Sequence, residues 1–172
     1  MVCDQNSTNR SVYSKLGVTY DHPYFVHITE TVYCLFDPPH LLKSSRNNLM
    51  HHNAVYGGAV IKWDHIKSLY YEDCERIPRA APKLTNKHIF LPAFEEMRVG
   101  VAAETLSITV SSAIKMYVAY GCLPEECLST AAYVEDIDKL FDIFNATDNV
   151  RKSNKTVPDL EPNRNETKQT AP

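Results

Sequence analysis

The stretch from Leu91 to Tyr120 constrains this chain more than any other. It is long and largely apolar, with Pro92 near its start and Gly121 just past its end. Phe94, Met97, Val101, Leu106, Ile108, Val110, Ile114 and Val118 spread around most of a helix circumference. A helix apolar on nearly all sides must be covered on nearly all sides, so the spacing predicts a central core helix. Pro124 is expected to open the next helix, with Glu125 and Glu126 in a first turn where the helix dipole favours carboxylates. Leu128, Ala131, Val134, Ile137, Phe141 and Phe144 then form one stripe, with Glu135, Asp138, Lys139 and Asp142 lying off it. Trp63, Ile66, Leu69 and Tyr70 give a third helical face before a Pro-bounded extended segment, Ile77 to Pro82. Residues 55–147 are therefore expected to be mainly α.

The first 52 residues read differently. Met1 to Asp4 suits a very short strand. Asn6, Ser7 and Thr8 offer N-caps for a helix reaching about Leu16, and Gly17 sits where a C-cap belongs. Thr31 to Phe36 is β-branched and aromatic, which predicts a buried strand ended by Pro38-Pro39. Helical character runs from His40 to about His51. Alternating strands and helices are the pattern of an α/β core. Gly57-Gly58 predicts a turn before a short strand at 59–62. The last 25 or so residues, 148–172, carry few apolar side chains, too few to offset ordering entropy, so a disordered tail is expected.

Charge narrows the function classes. Lys and Arg number 18 against 21 Asp and Glu, a net charge of −3. That balance argues against a free-standing domain that holds nucleic acid by charge alone. No apolar run is long enough to span a bilayer, and the N-terminal residues lack the regions of a signal peptide, so a nuclear or cytoplasmic, non-secreted protein is expected. The five cysteines are odd in number and form no C-x-x-C pair. Buried thiols are the expectation, not a zinc site or a disulfide framework. No G-x-S-x-G elbow and no Cys–His pairing stands out, which argues against a small hydrolase.

Four segments in order carry a family resemblance. They are Cys3-Asp4-Gln5; Phe36-Asp37-Pro38-Pro39-His40-Leu41-Leu42-Lys43 followed by Arg46-Asn47-Asn48-Leu49; Ala81 to Ile89; and Ile137 to Asp142. Together they resemble the P-element type of DNA transposase, including its vertebrate THAP-domain relatives, over roughly residues 1–147. The resemblance implies an α/β fragment of an RNase H-like core over residues 1–52. A mainly α-helical, GTP-binding insertion domain over residues 55–147 would follow it. In such enzymes GTP is a cofactor for synapsis of the element ends, not an energy source.

The implied chemistry fits the residue types. Phosphodiester hydrolysis and strand transfer use two divalent ions about 4 Å apart, held by carboxylates. By the resemblance, Asp4 falls on the second of three catalytic carboxylates and would ligate Mg²⁺ in the complete enzyme. The first and third fall outside the matched residues, so this chain is not expected to nick or join DNA alone. Asp37 and His40 fall on a D-x-x-H motif near the active centre. Asp37 can equally cap the helix that follows it.

For the nucleotide, no G-x-x-x-x-G-K-[ST] loop is present. Asn86-Lys87-His88-Ile89 resembles the N-K-x-D guanine motif, but Ile89 cannot supply the acceptor that motif needs. The resemblance instead implies Lys83, Arg98, Val99, Ser107 and Asp142. Lys83 would meet phosphate as a point charge, and Arg98 would offer a bidentate fork in place of the family's lysine. Ser107 would donate to phosphate or ribose. A carboxylate at Asp142 would accept from guanine N1–H and its 2-amino group, a donor pair adenine lacks. Four of these have a plainer alternative: a solvated charge for Lys83 and Asp142, a pair with Glu95 or with a helix-end carbonyl for Arg98, and a bond to the preceding turn for Ser107. The partners implied are GTP, transposon-end DNA and a second copy of the chain, with no membrane. The rival reading is a non-enzymatic helical interaction module that has lost nucleotide binding.

Overall fold

A computed structural model describes residues 1–92 and 94–145. The tail expected at 148–172 lies outside them. The N-terminal elements are β1 (Val2–Cys3), α1 (Ser7–Lys15), β2 (Tyr24–His27), β3 (Glu30–Tyr33), β4 (Leu35–Phe36) and α2 (Pro38–His51). Then follow β5 (Ala54–Tyr56), β6 (Ala59–Ile61), α3 (Trp63–Asp73), α4 (Asn86–Ile89), α5 (Val99–Thr105), α6 (Ile108–Ala119) and α7 (Cys127–Asn145). A 3₁₀ turn, Glu95–Met97, precedes α5.

Local sequence sets most of these boundaries. The Asn6 side chain accepts from the Asn9 N–H at 2.8 Å, and Gly17 adopts φ +73° beyond the end of α1. Asp37 caps α2, its Oδ2 accepting from the His40 N–H at 3.0 Å, with prolines at the first two helical positions. Gly57-Gly58 joins β5 to β6, both glycines at positive φ.

The strand expected at Thr31–Phe36 is two strands. β3 pairs antiparallel with β2, while β4 pairs parallel with β1 in the register Val2↔Leu35, Cys3↔Phe36. Cys34 divides them and is the one fully buried residue of the stretch, its N–H donating to Pro23 O at 2.8 Å. Tyr33 and Leu35 are 63% and 44% exposed, so the segment is not the buried strand its apolar content predicts.

The central helix is also divided. Leu91 and Pro92 are not helical, and Arg98 and Ser107 each adopt extended backbone, with φ −86°, ψ 118° and φ −103°, ψ 157°. Apolar periodicity continued across both positions, but Ser107 can offer the backbone an alternative to the helix ladder. Its hydroxyl donates to Glu104 O at 3.0 Å and accepts from the Val110 N–H at 3.4 Å. One end of α5 and the start of α6 are thereby satisfied at a corner. Similarly, Pro124, Glu125 and Glu126 form a turn before α7 and not its first turn. Leu128 points outward, while Cys127, Thr130, Ala131 and Val134 face the core.

The main core lies among α2, α3, α5, α6 and α7. α6 and α7 form its most extensive helix pair, where small residues allow close approach. Ala113 and Ala131 are buried there, and Ser111 Oγ donates to Ala131 O at 2.8 Å. Leu42 and Leu49 of α2 belong to the same core. The five cysteines are free thiols; Cys34 and Cys127 are buried, whereas Cys74 is exposed. Among the described residues no helix is long and apolar enough to cross a membrane.

Candidate functional site

The corner between α5 and α6 gathers several of the residues singled out by sequence. Ser107 sits at the corner itself, as the N-cap of α6. Asp138, one turn before Asp142 on α7, lies against the Ile108 N–H at the first turn of α6. Burial raises the Asp138 pKa above its ordinary value; the Ile108 N–H opposes that shift, and the Asp142 charge adds to it. Asp142 is exposed and close enough to Asp138 for its charge to be felt there. Ser107 and Asp142 therefore share one region of the surface, with Asp138 between the helices that carry them.

A second group of charges surrounds Glu104, the last residue but one of α5. His88 is fully buried, and its Nδ1 accepts from the Thr85 N–H at 3.0 Å. Nδ1 is therefore unprotonated, so Nε2 carries the hydrogen and donates to Glu104 Oε2 at 2.9 Å. Lys87 Nζ lies 3.8 Å from the same oxygen. The His88 hydrogen bond, opposed by partial burial and helped by the charges of Lys87 and Lys83, holds the Glu104 carboxyl below its ordinary range. Lys83 is exposed and makes no hydrogen bond or ion pair among the described residues. It is linked to Ser107 through Glu104, whose side chain feels the lysine and whose carbonyl accepts from the serine.

Lys83 rides on a loop with a rigid base. Asp73, at zero exposure, accepts from Arg79 Nε at 3.0 Å, Ala80 N–H at 2.6 Å, Ala81 N–H at 3.2 Å and Tyr117 Oη at 3.0 Å. Arg79 Nη2 also donates to Leu84 O at 2.6 Å. The residues on both sides of Lys83 are fixed while its ammonium reaches solvent.

Arg98 and Val99 lie at the opposite end of α5, which at seven residues is about 10 Å long. Arg98 pairs with Glu95 Oε1 at 2.9 Å, and Val99 packs partly on the core. Phe141 packs partly on the core and lines a cleft with Leu41, Leu42 and Ser45 of α2. The Asn86–Ile89 segment is a single helical turn whose His88 and Ile89 are buried.

Among the N-terminal strands, the parallel register carries Asp4 and Asp37 one step past the last β1–β4 pair, so both leave adjacent strand ends together. The Asp37 N–H donates to Cys3 O at 2.7 Å. Asp4 Oδ1 accepts from the Asn6 N–H at 3.1 Å and from Asn9 Nδ2 at 2.8 Å. His40 is half-buried one turn into α2. Among the described residues no three His, Cys, Asp or Glu side chains form a metal-holding group.

Glu104, Asp138 and the Asp73–Arg79 base were not singled out as functional by sequence. Asp138 could have been noticed as the residue one turn before Asp142, since positions four apart share a helix face. Nothing local to the sequence joins Asp73 to Tyr117.

The profile of the family described as TNP-like, GTP-binding insertion domain matches residues 39–157. The Transposable element P transposase of Drosophila melanogaster is 23% identical over 149 residues, 85% of this chain and 20% of that protein. DNA transposase THAP9 of Homo sapiens is 26% identical over 136 residues, 74% of this chain and 14% of that protein. The chain thus spans a fifth or less of the length of these relatives. Among solved structures, the Drosophila P element transposase strand transfer complex contains a chain of the same fold, with a TM-score of 0.76 at 23% identity over 83% of this chain and 33% of that one. On the profile match, the chain belongs to the TNP-like, GTP-binding insertion domain family, and it is related to the P-element type of transposase.

Proposed function

We propose that this chain is part of a P-element-type transposase, or of a domesticated derivative, whose helical part, residues 55–147, binds GTP. The observation that carries this reading is the corner at Ser107. It collects a hydroxyl donor, an exposed carboxylate at Asp142 and, across Glu104, an exposed cation at Lys83. This donor set fits a guanine nucleotide. Asp142 would accept from the guanine edge, Lys83 would meet phosphate, and Ser107 would bond ribose or phosphate. Arg98 and Val99, at the far end of α5, would serve a different part of the nucleotide. Arg98 must then exchange its Glu95 partner for phosphate. Bound GTP would supply a polyanionic triphosphate arm able to bridge protein surfaces during synapsis.

Residues 1–52 would form part of an RNase H-like core. Asp4 would hold Mg²⁺ in the complete enzyme, and Asp37 and His40 would orient catalytic groups or DNA. The origin of Asp4 and Asp37 at the ends of two paired parallel strands supports that role. Two-metal chemistry would need carboxylates besides Asp4 in the complete enzyme, so the part proposed for the described residues is binding. Its partners would be GTP, transposon-end DNA and a second copy of the chain, in the nucleus or cytoplasm. The pairing of Arg98 with Glu95 favours the second reading, a helical interaction module without nucleotide. Calorimetric titration with GTP and ATP separates the two. Preferential GTP binding supports the first; equal or undetectable binding to a folded chain supports the second.

A further inference from the structure

Arg46 is the largest side chain buried without exposure, and no part of the site described above uses it. It lies in the middle of α2, on the core-facing side with Leu42 and Leu49. Its Nη2 donates to Glu96 O at 2.6 Å, fifty residues along the chain, and its Nε donates to Asn47 Oδ1 at 2.8 Å. Glu96 is the middle residue of the 3₁₀ turn Glu95–Met97, which leads directly into Arg98 and Val99. Two polar atoms at this place are buried without a partner, Arg46 Nη1 and Glu95 Oε2. Glu95 is the same residue that holds Arg98.

A buried arginine is a poor way to fill space, since a desolvated charge costs more than an apolar side chain of equal volume. Burial here pushes the Arg46 pKa down, and the neighbouring Glu96 charge pulls it up. What an arginine supplies that an apolar residue cannot is a rigid fork reaching from one element to another's carbonyl. The element it reaches is short, irregular and otherwise exposed at Phe94, Met97 and Arg98. We propose that Arg46 is the positioning residue of the nucleotide site: it clamps the Glu96 carbonyl and so fixes the turn that presents Arg98 and Val99. This rests on the reading that Arg98 meets phosphate. Asn47 buttresses the clamp by holding the Arg46 Nε.

The test is calorimetric titration of GTP and of guanosine into the 172-residue chain. Wild type, Arg46→Met, Asn47→Ala, Arg98→Ala and the double variant Arg46→Met/Arg98→Ala are compared, with folding checked by circular dichroism. Arg46→Met keeps an apolar filling of the core but removes the clamp. It is expected to weaken GTP about tenfold, the size of one network coupling, and to leave guanosine unchanged. Arg98→Ala should do the same, and the double variant should lose little more than either single one. A purely structural role would weaken both ligands together, and that result overturns the proposal. So does additive loss in the double variant. If Arg46→Met does not fold, Asn47→Ala decides: a smaller loss confined to GTP supports the clamp, and unchanged GTP binding overturns it. If Arg98→Ala weakens GTP while both clamp variants bind normally, the nucleotide reading stands and the clamp fails. If Arg98→Ala has no effect, the role of Arg98 itself fails and the clamp fails with it.

Discussion

The Tyr117 hydroxyl donates to the Asp73 carboxylate at 3.0 Å and thereby ties the middle of the bundle to the end of α3. A carboxylate at a helix C-terminus opposes the helix dipole, and this one is wholly buried. It is tolerated because Arg79, Ala80 and Ala81 also donate to it. Asp73→Ala would leave these donors without a partner and the Arg79 charge uncompensated. The expected loss is about 3–5 kcal/mol of stability. Tyr117→Phe removes one donor and should cost about 1 kcal/mol. Urea unfolding of the three proteins measures both; near-equal losses would show that the carboxylate is not the hub.

Guanine selection should reside in one carboxylate. Asp142→Asn replaces an acceptor oxygen with a donor NH₂ and is expected to reduce the preference for GTP over ATP by about 1–3 kcal/mol. Lys83→Ala should weaken both nucleotides alike, because phosphate carries no information about the base. A Lys83 variant that changes only the GTP-to-ATP ratio would reverse these assignments.

Acid should weaken the link between α4 and α5. Glu104 is held below its ordinary pKa of 4.5, first by the hydrogen bond from His88. A depressed carboxylate pKa stabilises the fold above 4.5, and that contribution disappears as pH falls through the folded-state value. Wild type should therefore melt above Glu104→Gln at pH 7, and the gap should close as pH falls below 4.5 through the lowered folded-state value. Asp138, raised above its ordinary 3.8 by burial, acts with the opposite sign. Its ionisation costs stability as pH rises, so Asp138→Asn should gain on wild type toward neutral pH. Thermal melts across this range check both; a Glu104 gap that widens in acid would contradict the assignment.

The β2–β3 hairpin carries a correctable strain. Ile28 opens its turn at φ +58° and is 87% exposed. A β-branched residue is disfavoured there by about 1–2 kcal/mol, and glycine is the usual occupant of that turn position. Glycine gives back part of this gain through unfolded-state entropy. Ile28→Gly should therefore raise stability by about 0.5–1 kcal/mol, read as a small upward shift in Tm. A fall in Tm would mean that the Ile28 side chain makes a compensating contact.

Short-range signals made much of the architecture legible. Asn6, Gly17, Asp37 and Gly57-Gly58 each mark a boundary because their chemistry acts within one turn of the chain. Over Trp63–Asp73, Trp63, Ile66 and Leu69 are buried as their apolar spacing predicts, and Tyr70 is partly buried beside them. Legibility failed where a polar residue interrupted an unbroken apolar pattern. Ser107 breaks the central helix although Leu106 and Val110 around it keep the helical period. The strand over Thr31–Phe36 failed for a different reason, since its two halves pair with different partners and only the long-range register reveals it. In the candidate site, resemblance names side chains one at a time. Their supports, Glu104, His88 and the Asp73 hub, depend on contacts between distant segments.

The position of α2 has a practical consequence for taking the molecule apart. Its Leu42 and Leu49 are buried with residues of α3, α5, α6 and α7, whereas the nearby Gly57-Gly58 turn is open to solvent. A protease that cuts at that turn would sever the backbone without separating the pieces. The two fragments would elute as one species under native conditions and part only in denaturant, so a single intact peak on a sizing column would not show that the chain was whole.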